Sequence, residues 1–329
     1  GELWYNSTAT TFQFQYGATA AAWSTGGNLN TARQGLSGVG IQTAALAFSG
    51  NDGTPPEISN LTELYNGTSW TAVNTLQAAR RFMAGAGTST AALGFGGYTG
   101  PPSGTGADLT ETWNGTNWTE VNNMNTARYL LGGAGATNTA ALGFGGYGPG
   151  APQVKTESYN GTSWTEVGDL NTNRYNLSGA GTNTSALAIG GSPAPTGNTE
   201  LWNGTNWTVV NNLNTARQAG TAAGVSNTSA LFFAGYDPSP PAGGTAKTES
   251  WNGTNWTETG DLNINRRYMA GAGTQTLALG FGGGPSISAA TEEFSTTTVV
   301  GAWSTGGNLN TGRNSLAGTG TQTAALAFG

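Results

Sequence analysis

The sequence has 329 residues, of which only 9% are charged, and its formal net charge is −6. It contains no cysteine, which excludes disulfides and thiolate chemistry, and no histidine, which removes the most frequent metal ligand and general base. Its only lysines are Lys155 and Lys247, and no run of 18 apolar residues occurs. We therefore expect no cofactor, no nucleic-acid partner and no membrane insertion.

The chain opens with residues 1–10, which lie outside the repeat described below. They include the short β-prone run LWYN, which predicts an N-terminal strand or a connector to a partner. Gly1 stands where a start methionine would be, so we expect a processed product or a segment of a longer protein.

From residue 11 onward one unit recurs, and its most regular marker is an arginine. Each arginine precedes a small-residue stretch such as GAGT, an apolar run such as AALGFGG, a loop, and a segment resembling TETWNGTNWT. Self-similarity with a period of 43 to 49 residues predicts a repeat architecture built as one closed object. The seven arginines are Arg33, Arg80, Arg128, Arg174, Arg217, Arg266 and Arg313.

Residues 80–121 illustrate the unit, in which four short strands, A to D, are predicted. An Asn-Gly pair between two β-prone runs, as at Asn114-Gly115, is the strongest local signal for a hairpin. No helical period is present, and the glycine runs favour tight packing over a phosphate site because no helix follows them. Repeating four strands radially predicts a β-propeller, with the D-strand tryptophans between blades. These are Trp23, Trp70, Trp118, Trp164, Trp207, Trp256 and Trp303.

Seven A strands and seven C strands predict an all-β, seven-bladed propeller of four-stranded antiparallel blades. The last A–B pair, residues 313–329, lacks a following C–D pair, and the first C–D pair, residues 11–25, lacks a preceding A–B pair. We predict that these two pairs share the closing blade as a two-plus-two strand clasp, so that residues 11–329 form a single propeller. Residues 22–48 match residues 302–328 at 21 of 27 positions, which supports this interpretation.

The order of arginine, two strands ending in Gly-Gly, an aromatic strand and tryptophan resembles the kelch repeat over nearly the whole chain. The segments TEEF, GAWSTGGNLNT and GTGTQTAALAFG resemble propeller repeats in structural and tail-fibre proteins of marine tailed phages. This resemblance implies a β-propeller in an extracellular or virion structure. A galactose-oxidase-like activity would require copper-binding histidines and a cysteine–tyrosine crosslink, which the chain lacks, so we expect no enzyme.

Two sets of polar residues recur in the C–D segments. Six C strands carry a glutamate, and we predict that it pairs with the arginine or with backbone rather than serving catalysis or calcium, because a catalytic site needs different residues in different roles. These are Glu63, Glu111, Glu157, Glu200, Glu249 and Glu292. Turn chemistry explains the hairpin-tip asparagines, which are also candidate N-glycosylation sites where the producing cell has the machinery. These are Asn66, Asn114, Asn160, Asn203 and Asn252.

The B–C loops vary in length and hold nearly all the prolines, together with Tyr98, Tyr147, Tyr236 and Asp237. Variable loops on a rigid scaffold often carry binding sites, so these four residues are candidate ligand-binding residues. The alternative is that proline and glycine only stiffen surface loops.

We expect a non-enzymatic structural or adhesive component of a phage virion, such as a tail fibre or surface decoration, or of another extracellular assembly. Two alternatives remain open. One is a lectin-like module that binds cell-surface glycans through the B–C loop face, and the other is a subunit of a cellular surface filament. The expected partners are other copies of the chain, other virion or filament subunits, and glycans.

Overall fold

The computed structural model describes the backbone of residues 3–6, 11–14, 17–100, 105–239, 243–300, 304–305, 317–321 and 324–328, and side chains within residues 21–100, 105–239 and 243–296. Contacts divide the chain into a ring unit, Ala22–Ser295, and a second unit that combines Gly1–Ala21 with Thr296–Gly329. Within these described ranges, no helix is long and apolar enough to cross a membrane.

The ring unit is built from six antiparallel sheets of four strands each, here called blades 1 to 6. The A strands are Ser37–Ile41, Ala84–Gly87, Gly132–Thr137, Ser178–Gly181, Thr221–Ser226 and Ala270–Gly273. The B strands are Ala44–Phe48, Ala92–Phe95, Ala140–Phe144, Ala186–Ile189, Ser229–Phe233 and Leu277–Phe281. The C strands are Thr62–Tyr65, Thr110–Trp113, Thr156–Tyr159, Thr199–Trp202, Thr248–Trp251 and Thr291–Val300. The D strands are Trp70–Val73, Trp118–Val121, Trp164–Val167, Trp207–Val210, Trp256–Glu258 and Gly17–Thr25.

The small residues of the A strands allow the blades to converge at the centre of the ring. Each A strand packs against the A strand of the next blade, and the A strand of blade 6 packs against that of blade 1. A Cβ atom added to Gly179 would lie 2.2 Å from the carbonyl oxygen of Gly133 in the neighbouring blade. Glycine is therefore required there by close backbone approach.

A closed circle of six backbone hydrogen bonds fixes the number of blades. In each blade, the second residue after the repeat arginine has a left-handed backbone, and its N–H donates to the carbonyl of the equivalent residue in the preceding blade. The N···O distances are 2.8–3.0 Å, and the bond from Gly35 to Tyr268 closes the circle. The six residues are Gly35, Phe82, Leu130, Asn176, Ala219 and Tyr268.

The D-strand tryptophans lie between blades. Trp118, for example, stacks against Phe48 of the preceding blade with ring centroids 4.9 Å apart, and its Nε1–H donates to Thr62 Oγ1 at 3.0 Å. The same tryptophan-to-threonine bond, 3.0–3.1 Å long, joins every pair of neighbouring blades in the ring. Trp23 donates to Thr248 of blade 5, which places Trp23 in blade 6.

The expectation of seven blades is wrong, because the ring closes with six. The strand Gly17–Thr25 pairs with Thr291–Val300 and so fills the outer position of blade 6. The two-plus-two clasp between residues 11–25 and 313–329 is not confirmed. Residues 22–31 and 302–311 are identical in sequence. Sequence comparison therefore could not decide whether the segment with Trp23 or the segment with Trp303 completes that blade.

In the second unit, Leu3–Asn6 forms an antiparallel hairpin with Thr11–Phe14, which also pairs with Ser304–Thr305. Ala317–Thr321 and Ala324–Phe328 form a separate two-stranded sheet. Trp303 and Arg313 lie outside the described residues.

Candidate functional site

The repeat arginines and glutamates pair within each blade of the ring. In blade 3, Arg128 Nη2 donates to Glu157 Oε1 at 2.9 Å, and Arg128 Nη1 donates to the carbonyls of Gly145 and Lys155. The other oxygen of Glu157 accepts hydrogen bonds from the backbone and side-chain N–H groups of Asn125. The six arginine–glutamate distances are 2.6–2.9 Å, so we call this repeated set the blade network.

Burial dominates the electrostatics of the blade network. Desolvation lowers the pKa of Arg128, while the charge and hydrogen bond of Glu157 oppose that shift. Both side chains are fully buried, and they hydrogen-bond to each other, to backbone and to Asn125, so they have a structural role. Arg128 Nε has no hydrogen-bond partner among the described residues. Among the described residues, no group of three or more Asp or Glu side chains is arranged to hold a metal ion.

The five hairpin-tip asparagines are exposed and form tight turns. In each, the side-chain Oδ1 accepts hydrogen bonds of 2.8–3.0 Å from the backbone N–H groups two and three residues later. This geometry explains the choice of asparagine by turn chemistry alone. The tips at Asn66, Asn114, Asn160, Asn203 and Asn252 are solvent-exposed, and the prediction that they are glycosylated stays a prediction.

The B–C and D–A connections share one face of the ring, which we call the loop face. The residue after each repeat arginine forms a backbone bridge with the first residue after the B-strand turn, as between Tyr129 and Tyr147. This bridge brings side chains from distant parts of the sequence into contact around the mouth of the ring. Tyr129 packs between Tyr98 and Tyr147 with tilted rings, at centroid distances of 5.5 and 5.6 Å, and Tyr147 meets Tyr175 edge-on at 5.4 Å.

The stack continues in the other direction through two arginines. The Arg81 guanidinium lies 5.1 Å from the Tyr98 ring centroid and 5.2 Å from that of Phe82. Phe82 contacts Tyr268 at 5.4 Å. Arg267 then lies over the rings of Tyr268 and Tyr236, at 5.8 and 5.5 Å. We call this chain of half-buried groups the aromatic arc: Tyr236, Arg267, Tyr268, Phe82, Arg81, Tyr98, Tyr129, Tyr147 and Tyr175.

The arc runs around a small cavity at the mouth of the ring and leaves one polar sector open. The cavity has a volume of about 140 Å³, and the six residues of the hydrogen-bond circle are among those that line it. Asn176 and Ser192 lie at the open sector, next to Tyr175. Their side-chain oxygens are buried and, among the described residues, neither has a hydrogen-bond partner. Aromatic faces thus adjoin unsatisfied polar groups.

Tyr129, at the middle of the tyrosine row, favours its neutral form. Burial, reinforced by the neighbouring hydroxyls of Tyr147, Tyr98 and Tyr175, raises the pKa of Tyr129. The Tyr147 hydroxyl donates to the carbonyl of Gly150, which orients that ring. A row of tyrosine rings can stack on a ligand and can hydrogen-bond through its hydroxyls.

The sequence-predicted loop residues separate into two groups. Tyr98, Tyr147 and Tyr236 belong to the aromatic arc, although Tyr236 lies at its far end. Asp237 is buried instead: it accepts a hydrogen bond from the Ser239 backbone N–H and pairs with Lys247 at 3.2 Å. Burial tends to raise the pKa of Asp237, but these contacts outweigh it and the pKa is lowered. Asp237 therefore anchors its loop.

The residues that follow the repeat arginines were not predicted from the sequence. Tyr129, Tyr175, Arg267 and Tyr268 lie in the D–A connections, whereas the predicted binding residues lie in the B–C loops. The size of their side chains could have indicated them. Large side chains follow Arg128, Arg174 and Arg266, whereas Gln34 and Gly35 follow Arg33 in blade 1.

No protein-family model matches the chain, and no curated protein matches it either.

Proposed function

We propose that this chain is a non-enzymatic adhesive or structural protein that binds glycans through the aromatic arc of its loop face. The observation that carries the proposal is the arc itself, an ordered row of half-buried rings gathered from several blades. Sugar rings present apolar C–H faces that stack on aromatic side chains, and hydroxyls that need hydrogen-bonding partners. An ordered row of tyrosines offers both at low entropic cost.

The hydroxyls of the arc support the same proposal. A tyrosine O–H can both donate and accept a hydrogen bond, so the rings that stack on a sugar can also bind its hydroxyls. The wider context, a virion or another extracellular assembly, is proposed from the sequence resemblance to phage structural proteins, with other subunits of that assembly as partners.

We also propose that the chain is not an enzyme. The titratable residues that recur in every blade are engaged with one another in the blade network. A catalytic site would need unlike residues converging on one substrate position.

A glycan array probed with the purified chain tests this function. We expect binding to a restricted set of oligosaccharides, and loss of that binding in the double variant Tyr98→Ala/Tyr147→Ala. The control is Val225→Ser, because Val225 is 58% exposed near the A–B turn, away from the loop face. Binding that survives in the tyrosine variant, or that disappears in the control, would contradict the proposal.

A further inference from the structure

Two arginines occupy equivalent positions in the aromatic arc. Arg81 and Arg267 each follow a repeat arginine directly, and each guanidinium lies over two aromatic rings at centroid distances of 5.1–5.8 Å. These distances lie within the range of cation–π attraction. The pair therefore allows a matched comparison inside one molecule.

The two arginines differ in how their charge is balanced. Arg81 Nη1 lies 3.3 Å from a carboxylate oxygen of Glu57, so its charge is paired. Among the described residues, no carboxylate forms an ion pair with Arg267. Those residues include every Asp and Glu of the chain except Glu2. Within the described part of the chain, Arg267 thus presents a cation without an ion-pair partner, in a protein whose formal net charge is −6.

We propose that the glycan bound by the loop face is acidic, and that Arg267 binds its carboxylate. This inference rests on the proposed function and names the ligand class. A guanidinium offers parallel N–H donors that match a carboxylate in a bidentate arrangement. The rings of Tyr236 and Tyr268 hold the guanidinium in place, so less side-chain entropy is lost on binding. The same rings can stack on the sugar that bears the carboxylate.

The arrangement also accounts for the difference between the two arginines. At Arg81 the carboxylate comes from the chain, through Glu57, whereas at Arg267 the ligand would supply it. An acidic ligand on a chain of this net charge is repelled elsewhere on the surface, so it would be directed to the unpaired cation.

The test compares acidic oligosaccharides with their neutral methyl esters. We would titrate the full chain with oligogalacturonate and oligomannuronate, and with the same compounds after esterification of their carboxylates. We expect the acids to bind at least about tenfold more tightly than the esters, with an affinity that falls as salt increases. Arg267→Gln should remove this preference, whereas Arg81→Gln should retain it.

The outcomes separate this inference from the proposed function. If acids and esters bind equally and binding still requires Tyr98 and Tyr147, the loop face binds glycans but the acidic inference is wrong. If Arg267→Gln binds the acids as tightly as the unaltered chain, Arg267 does not bind the carboxylate. If neither the acids nor their esters bind, the inference fails, and the glycan array decides separately whether the proposed function stands.

Discussion

The blade network and the loop face follow opposite rules within the same ring. In the blade network, each blade uses the same atoms at nearly the same distances, and the arginine side chains are at most 2% exposed. On the loop face, equivalent positions hold different residues: the position of Tyr98 is Asn51 in blade 1 and Ser192 in blade 4. Positions that hold the same residue in all six blades make the structural contacts of the ring. Positions that differ between blades make the loop face asymmetric, and specific binding requires an asymmetric surface.

The largest expected loss of stability comes from a contact between blades. Trp118→Ala removes a large buried aromatic that packs against Phe48 and donates to Thr62. We expect a loss of about 3–5 kcal/mol in the free energy of unfolding, measured by chemical denaturation. Thr119→Ala on the same strand, which is exposed, is the control and should cost under about 0.5 kcal/mol. Equal costs would mean that the tryptophan is not between blades.

The next effect concerns the charge pairs. Glu157→Gln leaves the fully buried Arg128 without its counter-ion, so we expect a loss of about 3–5 kcal/mol, toward the lower end because the amide can retain hydrogen bonds. The control is Glu166→Gln, which disrupts the exposed pair with Lys155 and should cost under about 1 kcal/mol. If the two variants unfold at the same denaturant concentration, the blade network does not stabilise the blades.

A smaller effect appears at alkaline pH. Burial, together with the hydrogen bond to Glu293, raises the pKa of Tyr65 from 10.0 to about 12. Because the folded state keeps this proton while the unfolded chain loses it, the contribution of Tyr65 to stability is constant below pH 10 and falls as the pH rises toward 12. Tyr65→Phe should show a shallower decline in unfolding free energy over that interval. An identical decline in both proteins would show that Tyr65 does not titrate abnormally.

The strands and the blade network could largely be predicted from the sequence, whereas the contacts of the loop face could not. Local patterns were sufficient for the four strands, the Asn-Gly turns and the arginine–glutamate pairs, because each of these depends on neighbours within one repeat. The number of blades depends on ring curvature and on which segment pairs with Thr291–Val300. The segments that contain Trp23 and Trp303 are identical over ten residues, so the sequence does not distinguish them. Tyr129 and Arg267 were missed because their contacts are with residues brought together only when the ring closes.

We propose a division of roles in which the ring provides stability and the aromatic arc provides binding. Tyr129→Ala tests it most directly, because Tyr129 links Tyr98 to Tyr147 in the arc but takes no part in the blade network. Its unfolding free energy and its affinity for the best ligand from the glycan array should be measured on the same preparation. We predict an affinity at least about tenfold weaker, with the loss of stability well below that of Trp118→Ala. Unchanged affinity, or a loss of stability equal to that of Trp118→Ala, would contradict this division.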